Sequence, residues 1–213
     1  QQRLVVDLVS RRLPKSYGYD PLRDIQVITP AKQGPLGTRE LNRLLQGKLN
    51  PPERGKGEAT LMGRTLREGD KVMQIRNNYD IIWQQPDGTA GTGIFNGDMG
   101  IIEMLDPGSK TIQVRFEEKL ATYSFENQDQ LEHAYAVTVH KSQGSEFEAV
   151  VMPLERRHPK LHYRNLLYTA VTRARKLLIM TGQKETVYAM VQNNRRTLRY
   201  TNQKEMLQEM CDE

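Results

Sequence analysis

The chain has 213 residues, a net charge of +5 and 37% hydrophobic residues, ordinary values for one or two globular domains. It contains no run of about 18 apolar residues, which excludes a membrane-spanning helix, and its charged beginning is unlike a secretory signal. A single cysteine, Cys211, excludes an internal disulfide, disfavours a cysteine-based metal site and fits a reducing, cytoplasmic setting.

The first part of the chain reads as helix, strand and helix. Apolar residues recur at helical spacing over 1–13, and Pro14 is expected to end that helix. The run DIQVITP at 24–30 is rich in β-branched residues and ends in proline, which predicts a buried strand. A second helix is expected to begin at Thr38 and to end at Asn-Pro-Pro, 50–52.

The pattern changes between 63 and 132. The runs DKVMQIRNNY, GIFNGDMGIIEML, KTIQVRF and LATYSF alternate apolar and polar residues, and turn-forming Pro-Asp-Gly, Asn-Gly-Asp and Asp-Pro-Gly-Ser segments lie between them. Four or five strands linked by short turns predict a small antiparallel barrel.

An α/β pattern returns after this region. AYAVTVH, EAVVMPL and LLIM are predicted strands, and the apolar residues of 165–175 recur at helical spacing. Neither α/β part has enough strands for a sheet of its own, so we predict one parallel α/β domain interrupted by an insertion. The expected division is 1–62 and 133–213 for the α/β domain and 63–132 for the inserted barrel.

Basic residues are concentrated near the end of the chain. Residues 155–199 contain eleven Lys and Arg against two acidic residues. Such a block favours a phosphate-bearing partner, because Lys and Arg replace the counterions of nucleic acid. A solvated basic face would show the same composition.

The segment TVHKSQGSEF, 138–147, follows a predicted strand of a parallel sheet, and ligands bind at the carboxyl ends of such strands. Gly144 would let a phosphate or sugar approach the backbone closely. Glu146 is an acceptor suited to a ribose hydroxyl. A plain polar loop between a strand and a helix fits the same residues.

The segment NLLYTAVTRARK, 165–176, combines an apolar helical face with Arg173 and Arg175, which are two residues apart and so lie on different faces. An arginine held on a rigid helix beside a sheet edge suits an arginine finger, which stabilises charge on a transferring phosphoryl group. An ordinary basic helix surface is the alternative.

Together, these two segments resemble motifs V and VI of superfamily 1 helicases, specifically the RecD-like branch. VITPAKQGPLGTRELNRLLQGKLNPP, 27–52, resembles the motif IV region of that branch. RecD-like proteins also carry a small Src-homology-type barrel inserted in their second RecA-like motor domain. The resemblance therefore implies a RecA-like, P-loop-NTPase-type parallel sheet with an inserted antiparallel barrel. It also implies the C-terminal motor half of an ATP-dependent 5′-to-3′ DNA helicase.

The resemblance assigns roles to individual residues. Arg173 would be the catalytic arginine that reaches the γ-phosphate of ATP. The residues implied beside the nucleotide are Gln143, Gly144 and Glu146, together with Lys32, whose motif IV loop would contact nucleotide or DNA phosphate. The residues implied at single-stranded DNA are Thr138, His140 and Lys141.

No GxxxxGK[ST] phosphate-binding loop occurs in the sequence, nor a Walker B carboxylate pair after a hydrophobic strand. The abrupt helical beginning suggests a segment of a longer chain. The resemblance therefore implies that ATP and Mg²⁺ are held by an N-terminal RecA-like domain preceding residue 1, and that this chain alone does not hydrolyse ATP. A non-enzymatic nucleic-acid-binding module with degenerate motifs is the alternative. A nuclease is disfavoured, because the acidic residues lack metal-binding spacing.

The predicted barrel mixes basic and aromatic residues, a composition suited to stacking bases and following a nucleic acid backbone. Aromatic residues in small barrels also form cores. The residues concerned are Lys71, Arg76, Tyr79, Trp83 and Phe95.

Overall fold

The computed structural model of the chain describes residues 1–155 and 161–194. The helices are α1 (Gln2–Asp7), α2 (Leu13–Tyr17), α3 (Thr38–Leu49), α4 (Arg164–Val171) and α5 (Lys184–Gln192). The strands are β1 (Ile25–Thr29), β2 (Glu58–Leu61), β3 (Arg64–Arg67), β4 (Lys71–Gln74), β5 (Asn78–Gln84), β6 (Ala90–Ile94), β7 (Met99–Asp106), β8 (Thr111–Phe116), β9 (Lys119–Ser124), β10 (Leu131–His133), β11 (Ala136–Thr138), β12 (Phe147–Pro153) and β13 (Ala174–Thr181).

The first helical region passes through Pro14, so the expected end at that proline is wrong. A π turn, Leu8–Arg12, joins α1 to α2, and its last bond runs from the Leu13 N–H to the Leu8 carbonyl. Pro14 consequently falls in the first turn of α2, directly after the wider π turn, and does not end the helical region. The helix ends at Gly18, whose φ of 71° suits glycine.

Four parallel strands form one sheet in the order β11, β1, β12, β13. Successive residues of β12 belong to different apolar clusters: Val151 packs with residues of α1 and α3, and Val150 with residues of α4 and α5. This period of two buries both faces of the sheet under helices, as in other parallel sheets. The expected strand at 24–30 and the helix beginning at Thr38 are confirmed.

Seven antiparallel strands form a second sheet in the order β10, β4, β7, β8, β9, β5, β6, and β2 pairs with β3 in a separate hairpin. A third apolar cluster, with Val72, Ile102, Val114 and Tyr123 at its centre, fills this part. The sequence indicated four or five strands, whereas nine lie between Glu58 and His133. The shortest ones, such as β2 and β10, lack enough residues to show an alternating pattern.

The antiparallel region is inserted between α3 and β11, the two elements that precede and follow it in the chain. The fold class is therefore the expected one, a RecA-like parallel sheet interrupted by a small antiparallel domain. The division at 62/63 and 132/133 stays a prediction. Over residues 1–155 and 161–194, no helix is both long enough and apolar enough to cross a membrane.

Candidate nucleotide and DNA site

The segment 139–146, here called the motif V loop, runs from the carboxyl end of β11 to the amino end of β12. It begins with a 3-10 turn, His140–Ser142, and not with a longer helix. The Lys141 N–H donates to Thr138 Oγ1 at 3.3 Å, and Ser142 Oγ donates to the Val139 carbonyl at 2.8 Å. Because all four strands are parallel, this loop runs from the end of the sheet where the strands finish to the opposite end, where they begin.

Arg173 lies at the amino ends of β12 and β13. Helix α4 ends at Val171, so the expectation of a helix over 165–175 that carries this arginine is wrong. Arg173 occupies the turn before β13, because its own carbonyl accepts from the Phe147 N–H at 2.9 Å and so joins the strand pairing.

The Arg173 guanidinium is held by three hydrogen bonds. Nε donates to the Thr169 carbonyl at 3.1 Å, and Nη2 donates to Thr172 Oγ1 at 3.2 Å. Nη1 donates to the carbonyl of Ser145 at 3.1 Å. The last bond brings the residue implied by motif VI into contact with the motif V loop.

Other residues implied beside the nucleotide lie in the same part of the motif V loop. Glu146 accepts a hydrogen bond from Arg175 Nε at 3.0 Å, with both side chains more than half exposed. Gln143 is exposed, and Gly144 has a φ of 87° with open space where a side chain would be. The expected helix over 165–175 placed Arg175 on a different face from Arg173. The ion pair between Arg175 and Glu146 could therefore not be predicted.

The residues that the resemblance places at DNA lie at the other end of the sheet, where the strands finish. Thr138 ends β11, and its side chain is buried against the motif V loop. Lys141 Nζ donates to Glu132 Oε2 at 2.6 Å, and His140 is exposed. Lys32, which follows β1, lines the same cavity as Thr138, Lys141 and Glu132, so it lies with the DNA group and not with Arg173.

Glu132 had no place in the sequence analysis, although three cations act on it. Partial burial raises its pKa, but the hydrogen bond from Lys141 and the charges of Lys141, Lys32 and Arg64 outweigh burial and lower the pKa. The carboxylate is therefore ionised at neutral pH.

A buried carboxylate, Asp70, joins the inserted domain to the parallel sheet, although no sequence pattern indicated this role. Burial raises its pKa, whereas hydrogen bonds from His133, Asn50 and Tyr135 lower it by more, so its pKa lies below the ordinary value. His133 Nε2 lies 3.1 Å from Oδ2 and donates when that nitrogen carries its proton. The other donors are Gln46 Nε2 at 2.7 Å, Asn50 Nδ2 at 2.6 Å, the Tyr135 hydroxyl at 2.8 Å and the Arg67 N–H at 2.9 Å.

The basic and aromatic residues of the inserted domain have different environments. Lys71 is buried, and it donates to the Ile25 carbonyl at 3.4 Å, so the structure contradicts its expected exposure to nucleic acid. Arg76 pairs with Asp129, and Trp83 is half-buried beneath Lys119. Tyr79 and Phe95 are exposed and pack edge to face, with ring centroids 5.6 Å apart. Base stacking by this last pair stays a prediction.

The basic block at 155–199 is partly engaged in pairing. Arg175 pairs with Glu146, and Lys176 pairs with Glu148 at 2.7 Å. Arg164 Nε donates to the Val191 carbonyl. Residues 156–160 and 195–199 of the block lie outside the described residues.

Comparison with known proteins places this geometry in a family. Residues 41–116 match the model of the ATP-dependent RecD-like DNA helicase SH3 domain, and residues 133–181 match the UvrD-like helicase C-terminal domain. The chain is 35% identical over 158 residues to the ATP-dependent RecD2 DNA helicase of Deinococcus radiodurans. It belongs to the RecD-like DNA helicases.

The RecD-like chain matches only part of the length of its relatives. The match to the Deinococcus helicase covers 74% of the chain and 20% of that protein. A match to the RecBCD enzyme subunit RecD of Buchnera aphidicola, at 26% identity over 172 residues, covers 79% and 26%. The RecD-like chain thus spans about a fifth to a quarter of these proteins.

A solved structure shares the fold of the RecD-like chain. The Bacteroides Pif1 helicase, in complex with ADP-AlF3 and single-stranded DNA, superposes on 99% of the chain and 49% of its own, with a TM-score of 0.51 at 16% identity. This likeness supports the helicase fold.

Proposed function

We propose that the RecD-like chain supplies the arginine finger and part of the single-stranded DNA grip of an ATP-dependent 5′-to-3′ DNA helicase. ATP would lie between this chain and an N-terminal RecA-like domain that carries the phosphate-binding loop. Arg173 would stabilise charge on the γ-phosphate. Closure of the cleft between the two motor domains would then move DNA held at the carboxyl ends of the strands. The 5′-to-3′ polarity rests on the family resemblance, and a cytoplasmic location remains a prediction.

The observation that carries the proposal is the bond from Arg173 Nη1 to the Ser145 carbonyl. It makes the motif VI arginine and the motif V loop one local structure. A preorganised cation reduces the reorganisation needed when charge develops on a phosphoryl group. A solvated surface arginine would lack such fixed partners.

The residues around Arg173 fit a nucleotide phosphate. A guanidinium has five N–H groups, and three donate to atoms of the described residues, so two remain for phosphate oxygens. Gly144, the residue before Ser145, leaves open space where a side chain would be. The ligands of Mg²⁺ would belong to the N-terminal domain, since P-loop NTPases hold this ion by the phosphate-binding loop and a Walker B carboxylate.

The DNA part of the proposal rests on the cavity at the carboxyl ends of β1 and β11. Lys32 and Lys141 line it together with the Thr138 side chain. Two ammonium groups and a hydroxyl suit the phosphates of a strand, and the exposed His140 adds a ring beside them. The ATP dependence of the Deinococcus helicase and the single-stranded DNA bound in the Pif1 structure agree with these ligand classes.

The test is Arg173→Ala in the protein that carries both motor domains. We expect the DNA-stimulated ATPase rate to fall about 10³-fold, since arginine fingers contribute on this scale, while single-stranded DNA affinity changes little. Arg173→Lys keeps the charge but loses the forked donors, and should also be strongly impaired.

Arg115→Ala is the matched control, because Arg115 pairs with Glu103 on the inserted domain and lies outside the proposed sites. An unimpaired ATPase rate in folded Arg173→Ala would refute the arginine finger. Absence of ATP hydrolysis in the parent protein, with DNA binding retained, would favour the nucleic-acid-binding module.

A further inference from the structure

A carboxylate, Glu132, lines the cavity proposed for DNA phosphates. Glu132 ends up beside two lysines of the parallel domain, although it belongs to β10 of the inserted sheet. Lys141 Nζ donates to its Oε2 at 2.6 Å, and Lys32 lines the same cavity. Arg64 approaches from β3, where its Nη1 donates to the carbonyl of Leu131, the residue before Glu132.

This arrangement has the chemistry of an anion site that is already filled. Oxygen atoms of a carboxylate and of a phosphodiester accept the same charge-assisted hydrogen bonds from ammonium groups. The lowered pKa of Glu132 agrees with the geometry, because Lys141, Lys32 and Arg64 all favour the ionised carboxylate.

We propose that Glu132 occupies the position of a DNA backbone phosphate, so that an incoming strand must displace it from Lys141. The contact is autoinhibitory: it lowers affinity for single-stranded DNA and makes release easier after each step. This inference rests on the proposed function, because it assumes that the cavity is the DNA site.

The strength of the pair suits displacement. The Lys141 and Glu132 side chains are 24% and 41% exposed, so solvent weakens the ion pair and a phosphate can replace the carboxylate. Glu132 is nevertheless held in position, because the next residue, His133, lies against the buried Asp70. A fixed backbone with a weakly held side chain allows the carboxylate to swing out and to return.

The experiment measures binding of a fluorescein-labelled oligothymidylate to the 213-residue chain by fluorescence anisotropy over a sodium chloride series. Glu132→Gln keeps the shape and removes the charge. We expect affinity to rise roughly threefold to tenfold at low salt. The slope of log affinity against log salt should steepen by up to about 0.7, the value for one more phosphate contact on a single strand.

Glu103→Gln is the matched control, since it removes the same charge from an ion pair with Arg115 outside the cavity. It should leave the slope unchanged. In the double variant Glu132→Gln, Lys141→Ala the gain in affinity should disappear, because the freed ammonium group is absent.

The outcomes separate the two proposals. Tighter binding and a steeper slope in Glu132→Gln alone support the inference, and so does binding that appears in this variant when the wild type binds too weakly to measure. Wild-type binding with an unchanged or weaker Glu132→Gln overturns the inference and leaves the proposed function standing. No binding by either protein at low salt overturns the inference together with the DNA part of the proposed function, whereas the arginine finger is decided by the ATPase rate of Arg173→Ala.

Discussion

Replacing Asp70 by asparagine tests whether the buried carboxylate holds the inserted domain on the parallel sheet. The side chain is fully buried and accepts from donors on α3, at the end of β3, on β10 and before β11. Asparagine has a similar shape, but its amide nitrogen donates, so it must leave several of these donors unpaired. Breaking such a buried charged network costs about 3–5 kcal/mol, and we expect this loss in the free energy of unfolding.

The assay is urea unfolding at neutral pH, followed by circular dichroism and by the fluorescence of the chain's single tryptophan, Trp83 in β5. Circular dichroism reports all elements, whereas the tryptophan reports the inserted sheet. Both midpoints should move to lower urea in Asp70→Asn, because the carboxylate belongs to the contacts between the two parts.

The effect depends on pH in a defined direction. The pKa of Asp70 is lower in the folded protein than its ordinary value, because donors outweigh the effect of burial. Its contribution is therefore fully present above about pH 4, the unfolded value, and is lost as pH falls through the folded pKa. The difference between wild type and Asp70→Asn should shrink in acid.

Asp106→Asn is the control, because this partly exposed carboxylate also accepts hydrogen bonds, from the Gly108 N–H and the Ser109 hydroxyl. It should cost less than about 1 kcal/mol. If Asp70→Asn lost no more than this control, the carboxylate would not hold the two parts together and the reasoning would be refuted.

Two further substitutions test the packing. Burial lowers the pKa of Lys71 to about 8 from 10.5, so Lys71→Met should raise the free energy of unfolding by about 1–3 kcal/mol at pH 7. Wild-type stability should also rise between those two pH values, where the unfolded chain binds the extra proton, and a flat profile would contradict this. Gly182→Ala should cost about 1–3 kcal/mol in thermal unfolding, because φ is 141° and the new Cβ would lie 2.5 Å from the Leu154 carbonyl oxygen. Gly47→Ala in α3, with open space, should instead stabilise by about 0.5–1 kcal/mol, and equal effects would count against the strain at Gly182.

Most of the fold could be predicted from the sequence, because the spacing of apolar residues indicates which positions are buried. β1 and β12 were visible as short runs rich in β-branched and apolar residues, and the change to turn-rich alternation marked the insertion. Three segments in the right order indicated the RecD-like family, which the comparisons confirm. The end of α4 was misplaced, because its helical spacing continues to Ala174 while the backbone has already joined β13.

The partners of the site residues were beyond the sequence, because they are set by tertiary contacts between distant segments. Lys71 looked like a surface cation in an alternating strand, yet β4 faces the parallel sheet and buries it. No motif of the sequence includes Glu132, and only the return of β10 to the parallel domain brings it to Lys141. Within 138–146, the residues implied at DNA and those implied beside the nucleotide are adjacent in sequence. They are separated in space because the motif V loop runs from one end of the sheet to the other.

The pairing of β4 with β10 also affects the entropy cost of forming the parallel sheet. β1 must pair with β11, and Val27 and its partner Ala136 are separated by the whole insertion. Within the insertion, β7, β8 and β9 are neighbours in both sequence and space, and Val72 pairs with His133. Once the inserted sheet forms, its two ends already lie side by side. The entropy of loop closure for the parallel sheet is then that of a short connection and not of the full insertion.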